Sequence, residues 1–166
     1  MVIAPIVNDG RINRSKTTLN KIVAATISLL RKNNNGQIPT AQEIAVKSGV
    51  GIRTVFRHIE DMEGLIEEVN RRYLNDLESY IAKNNPKQNS KDQRIEHVIK
   101  ERFYLYNTYQ HVFNLTITSL NNSNAIRTGF IKFNHILRQR FEDLIPEIKM
   151  VNKDKQNLID LSLIHI

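Results

Sequence analysis

Apolar positions recur with a helical period along most of this chain. Leu19, Ile22, Val23, Ile27 and Leu30 share one stripe and predict a helix from about Thr17 to Lys32. The run Asn33-Asn34-Asn35-Gly36 ends it. Leu65, Ile66, Val69, Tyr73, Leu77 and Ile81 form another stripe, from about Asp61 to Lys83. Residues 84–91, N-N-P-K-Q-N-S-K, read as a loop. Ile95, Val98, Ile99, Phe103 and Tyr106 mark the next helix, and residues 112–120 a further short one. Asn121-Asn122-Ser123-Asn124 is a break. Ile126, Phe130, Phe133, Leu137, Phe141 and Leu144 then mark a long helix stopped by Pro146. A last helix is expected to start near Asp154. Residues 1–14 have no clear period and are expected to form a mobile arm, from which Arg11, Arg14 and Lys16 could reach a partner. The expected fold class is all-α.

Residues 39–58, P-T-A-Q-E-I-A-V-K-S-G-V-G-I-R-T-V-F-R-H, have a different texture. Thr40 followed by Glu43 has the spacing of a capping box, so a helix can start there. Ile44 and Ala45 supply its apolar side. Ser48-Gly49-Val50 is the turn, with Gly49 free to take a left-handed conformation. Val55 and Ile59 lie four apart on one face of a second helix. Arg53, Thr54, Arg57 and His58 lie on the opposite face. This is a helix-turn-helix pattern whose second helix could enter a DNA major groove.

The segment resembles the DNA-binding motif of tetracycline-repressor-like (TetR-family) regulators, roughly T-x-x-x-I-A-x-x-A-G-V-S-x-G-T-[LIV]-Y-x-[HY]-F followed by Lys and Leu. The matching residues are Thr40, Ile44, Ala45, Gly49, Val50, Thr54, Val55, His58 and Leu65. Phe56 stands where that family usually has Tyr, Ile59 where it has Phe, and Arg53 where it has Gly or another small residue. Met62, flanked by Glu60, Asp61 and Glu63, stands near an expected Lys. Acids suit a helix N-terminus but repel phosphate. The resemblance is specific over about residues 15–75. It implies a three-helix DNA-binding domain there, with the motif at 39–58, and an incomplete C-terminal helical ligand-binding and dimerisation domain over 92–166.

The resemblance also assigns roles. Thr54 and His58 are expected to contact phosphates, and backbone amides near Thr40 and Ala41 to do the same. Base reading falls to Gly51, Ile52, Arg53 and Phe56, with Arg53 able to take guanine O6 and N7 together. Arg57 serves a phosphate or is a solvated charge. Phe56 reads a thymine methyl or fills core, and His58 touches DNA or caps its helix. An effector would meet an aromatic lining drawn from Phe103, Tyr104, Tyr106, Tyr109, Phe113, Phe130 and Phe133. Aromatic residues at helical spacing are equally the pattern of plain core.

Charge adds weight to the nucleic-acid reading. Residues 1–59 hold nine Lys/Arg against two acids, so they carry the whole net charge of +7 over the 166 residues. Residues 60–166 hold fifteen of each sign. Such asymmetry is the electrostatic footprint of a nucleic-acid binder. The chain has no cysteine, so no disulfide framework or thiolate metal site. His97, His111 and His135 are scattered without metal spacing, and no Ser/His/Asp grouping or phosphate-binding glycine loop occurs. No enzyme activity and no cofactor are expected. No apolar stretch approaches a membrane span, and a cytoplasmic location is expected by default. The closing L-I-D-L-S-L-I-H-I has no C-cap, and a truncated C-terminus is expected.

The expected function is a sequence-specific transcriptional regulator of double-stranded DNA. Most simply it is a ligand-responsive repressor, a homodimer when full length, on a pseudo-palindromic operator with an unidentified small-molecule effector. The alternatives are a DNA-binding or DNA-organising protein without effector, and a small helical enzyme or carrier.

Overall fold

Apolar helical stripes need partners, and this chain supplies them by packing helix on helix. The computed structural model describes residues 10–59, 62–86 and 90–147. In chain order the helices are α1 (Gly10–Asn33), α2 (Ala41–Ser48), α3 (Ile52–His58), α4 (Met62–Lys83), α5 (Lys91–Ser119) and α6 (Asn124–Leu144). Among the described residues there is no strand, and no helix is long and apolar enough to cross a membrane. The fold class is all-α. The helix expected near Asp154 and the apolar closing run lie outside the described residues, as do residues 1–9.

One boundary differs from the sequence expectation. α1 starts at Gly10 rather than near Thr17, so residues 10–14 of the expected arm are helical. No proline or glycine interrupts residues 11–32. Thr17 and Thr18, which could have capped a later start, instead donate their hydroxyls to the carbonyls of Asn13 and Arg14, both at 2.9 Å. The two helices expected over 95–120 are both present within α5, divided by non-helical backbone at Tyr109 (φ −109°, ψ 17°). The Tyr109 ring is wedged there between Tyr73 at 5.7 Å and Phe133 at 6.0 Å. Helix α5 opens on a capping box between Ser90 and Gln93.

The main core is continuous through every helix. Ile22 and Val23 of α1, Ile44 of α2 and Val55 of α3 are fully buried. They belong to one cluster with Leu65, Ile66, Val69, Tyr73 and Leu77 of α4, Leu105 and Leu115 of α5, and Ile126 and Leu137 of α6. A smaller cluster of Val98, Leu144 and Ile145 closes the far end of α5 and α6. Helices α4 and α6 approach closely at Gly129, where a Cβ would clash with the Asn70 side-chain nitrogen. That nitrogen donates to the Ala125 carbonyl at 2.9 Å, while the Glu63 carboxylate accepts from the Ala125 amide at 2.8 Å. Thus α4 grips the first turn of α6.

Apart from His97 Nε2 and a Glu147 carboxylate oxygen, the buried polar side-chain groups among the described residues are paired, as the low dielectric favours. Arg140 faces Glu101 at 3.4 Å and also bonds the Asn84 carbonyl, tying the loop after α4 to α6. The Tyr73 hydroxyl lies 2.7 Å from Nε2 of His111. Burial, helped by the Arg31 cation, pushes the His111 pKa down to about 4. The ring is therefore neutral near pH 7 and is held by its hydrogen bond with the Tyr73 hydroxyl.

The loop after α1 is seated on α5. Asn114 donates to the Asn34 carbonyl at 3.1 Å and to its side-chain oxygen at 2.9 Å, and the Thr118 hydroxyl donates to the Gly36 carbonyl. Gly36 has φ +71°, and a Cβ there would meet the Asn114 carbonyl oxygen at 2.7 Å. Gly49 has φ +68° but open space around it. Gly36→Ala is expected to destabilise by about 2–4 kcal/mol, through conformation and clash together. Gly49→Ala is expected to cost only about 1 kcal/mol, from conformation alone. Urea unfolding of the two variants checks the difference.

Stability should also fall in weak acid. The folded His111 pKa is below the unfolded value of 6.5. The unfolded chain therefore takes up a proton first as pH drops, and folding weakens between pH 6.5 and 4. A loss of about 1–2 kcal/mol by pH 5 is expected from this group. Melting temperatures at pH 7 and 5 for the natural chain and His111→Gln measure it; the variant should show the smaller fall.

Candidate functional site

Helices α2 and α3 form a pair held by local chemistry. Thr40 and Glu43 make the expected capping box: the Glu43 carboxylate accepts from the Thr40 amide at 2.8 Å, and the Thr40 hydroxyl accepts from the Glu43 amide at 3.3 Å. The Thr40 amide, and after it the Thr40 hydroxyl, donate to the Glu43 carboxylate and hold its pKa below the ordinary value. Gly49 ends α2 in the left-handed conformation, and Gly51 starts α3 with no side-chain cap. Val55 and Ile59 then turn inward and are buried.

The outward surface of α3 is the exposed product of that anchoring. Ile52 is 38% exposed and Phe56 60% exposed, four residues apart on one side of the helix. Arg53 and Arg57, also four apart and exposed, lie beside them. Among the described residues neither arginine makes a hydrogen bond or ion pair. Thr54 and His58 are half-buried at the flanks. Phe56 therefore does not fill core.

At the start of α2 the Thr40 amide and hydroxyl are both engaged by Glu43. This leaves the amides of Ala41 and Gln42, which have no helical acceptor in a first turn. Of the acids expected near the start of α4, Glu60 and Asp61 lie outside the described residues. Glu63 is turned toward the first turn of α6.

The aromatic residues of α5 and α6 partly converge. Tyr106, Phe113, Phe130 and Phe133 line a cavity of about 180 Å³ between α5 and α6. Tyr109, with Phe113, Phe130 and Phe133, lines a smaller void of about 30 Å³ on the α4 side. Phe113 and Phe133 stand edge to face at 5.8 Å and part the two spaces. Phe103 does not belong to this set. It is 71% exposed on the outer side of α5 and lines neither cavity. Tyr104 also points away and stacks on Tyr80 of α4 at 4.7 Å.

Sequence reasoning missed Arg102, which lines the larger cavity. Only its position one residue before Phe103 and four before Tyr106 hinted at it. A single cation amid apolar spacing normally reads as solvated. No protein-family model matches the chain, and no curated protein matches it in sequence.

The inward and outward residues of α3 should separate in mutagenesis. Val55→Ala is expected to cost about 1–3 kcal/mol of stability. Phe56→Ala, at an exposed position, is expected to change it by less than about 0.5 kcal/mol. Denaturant midpoints report both; a large loss at Phe56 would contradict its exposed placement.

Proposed function

We propose that the protein is a sequence-specific DNA-binding transcriptional regulator, a ligand-responsive repressor built around a helix-turn-helix formed by α2 and α3. The observation that carries this reading is the outer face of α3. Two arginines without partners among the described residues flank exposed Ile52 and Phe56, on the half of the chain that holds the whole +7. The resemblance of residues 39–58 to TetR-family regulators supports the same reading.

In this reading α3 lies in the major groove. Arg53 donates to guanine O6 and N7, while Ile52 and Phe56 pack on thymine methyls, with Gly51 letting the backbone come close. Thr54, His58, Arg57 and the Ala41 amide hold phosphates and fix the register. Two copies related by a two-fold axis would place two such helices on successive major grooves, matching a pseudo-palindromic operator. The cavity between α5 and α6 takes the effector. Its walls reach the reading head by two routes: the 34–36 loop seated on α5, and Tyr73 between His111 of α5 and Arg31 of α1. An effector acts only if it binds the two arrangements of these contacts unequally.

Fluorescence anisotropy with duplexes selected from a random pool tests the reading. Affinity should fall steeply with salt, as phosphate neutralisation releases counterions. Arg53→Ala should lose about 1–3 kcal/mol on the selected site and relax preference at one base pair of each half-site. Thr54→Ala should weaken all duplexes alike. A flat salt response sinks the proposal, and uniform loss in both variants makes Arg53 a phosphate contact.

A further inference from the structure

The larger cavity combines an apolar interior with a single cation. Its aromatic wall offers no charge, and Leu105, Leu120 and Leu137 complete the apolar surface. Arg102 reaches it from α5. Among the described residues its hydrogen-bond acceptor is the Leu137 carbonyl, 3.2 Å from Nη2. A guanidinium has five N–H donors, so most of its capacity remains. The neighbouring carboxylate, Glu101, is turned into the Arg140 pair and is not bonded to Arg102. Burial holds the Arg102 pKa below its ordinary value, yet an arginine keeps its proton near pH 7. The Glu101 charge steadies Arg102 only in part, being already paired with Arg140, so an entering anion lowers the remaining cost of this partly buried cation.

We propose that this cavity binds a compact amphipathic monocarboxylate, with its apolar body among Tyr106, Phe113, Phe130 and Phe133 and its carboxylate on Arg102. The inference rests on the reading of the cavity as the effector site and names the chemical class of that effector. The size sets the body. A void of about 150 Å³ accepts a benzene ring. The roughly 180 Å³ here suits one ring or a short branched chain, with the acid group at the Arg102 edge. A bidentate carboxylate fits the planar guanidinium fork and is stronger than a neutral hydrogen bond. Asn134 and Thr116 also line the space, so a second polar group on the ligand has somewhere to bond.

Calorimetric titration of the whole chain with 3-phenylpropanoate and with its neutral amide tests this. The acid should bind about 10–100-fold tighter than the amide at pH 7. Arg102→Leu should bring the ratio to about one while the amide still binds, and Arg102→Lys should keep part of the preference. Circular dichroism melts establish that each variant is folded; if Arg102→Leu is not, the acid-to-amide ratio of the natural chain and Arg102→Lys decides. Equal binding of acid and amide, absence of binding by both at millimolar concentration, or an unchanged ratio in folded Arg102→Leu overturns the proposal. DNA binding measured without ligand separates the two readings. If the chain binds no DNA yet prefers the acid through Arg102, the regulator reading falls and the carboxylate site stands. If it binds DNA and discriminates acid from amide no better than Arg102→Leu does, the carboxylate site falls alone.

Discussion

One face of α4 joins the two ends of the described core. Leu65, Ile66, Val69, Tyr73 and Leu77 are all buried, at 4% exposure or less. Their spacing keeps them on a single stripe for nearly the length of the helix. The beginning of the stripe joins the cluster that holds Ile22, Ile44 and Val55. Its later part meets α5 through Tyr73 and α6 across the close approach at Gly129. A residue lost from this stripe therefore disturbs two sets of partners at once. Large-to-small changes here should be worse than at the rim, because neither side can relax without moving the other. The grip of Asn70 and Glu63 on Ala125 makes the same helix fix where α6 begins.

That sharing bears on communication between the two ends. Helix α3 is short and is held mainly through α2 and Val55, so its orientation follows the elements beneath it. Those elements are fastened to α5 at Asn34 and Gly36 and at the Tyr73–His111 hydrogen bond. An aromatic series runs from Tyr106 through Phe113 and Phe133 to Tyr109 and Tyr73. The kink of α5 sits inside that series, at Tyr109. Tightly packed aromatic rings respond to an inserted group by changing arrangement rather than by compressing. Contiguity gives a route; a measured coupling free energy between ligand and DNA gives its strength.

Much of this was legible in the sequence, and the exceptions share a cause. The helical period placed α1 to α6 because it reports burial of one face, and burial decides helix position. The capping box at Thr40, the left-handed Gly49 and the stop at Pro146 were local signals, and the chain obeys them. What escaped depends on residues far apart in the chain. Gly36 read as a simple terminator, whereas its conformation and crowding come from Asn114 and Thr118. Glu63 read as an adverse charge, whereas its acceptor role needs Ala125. Phe103 shared the aromatic spacing of Tyr106 and Phe113 but not their side of α5. Arg102 looked like any solvated cation until α6 closed over it.

The acids around the reading head bring these threads to one electrostatic point. Sequence alone sets Glu63, with Glu60 and Asp61, against phosphate binding, and Glu43 as a helix cap. In the fold Glu63 spends its carboxylate on the α6 amide, away from α3. Glu43 spends its own on Thr40, and its lowered pKa keeps it ionised. An ionised carboxylate at the first turn of α2 already occupies part of the partial positive charge that a phosphate would use. A phosphate at the Ala41 amide then gains less from the helix than it would beside a neutral cap. If the protein binds DNA as proposed, the attraction comes instead from exposed cations such as Arg14, Lys16 and Lys21 along α1, and Arg53 and Arg57 on α3. In that reading the α3 pair, beside exposed Ile52 and Phe56, faces the base edges. In the proposed reading affinity is spread over α1 and α3 while selectivity falls to α3, so a change on α1 should alter the first without the second.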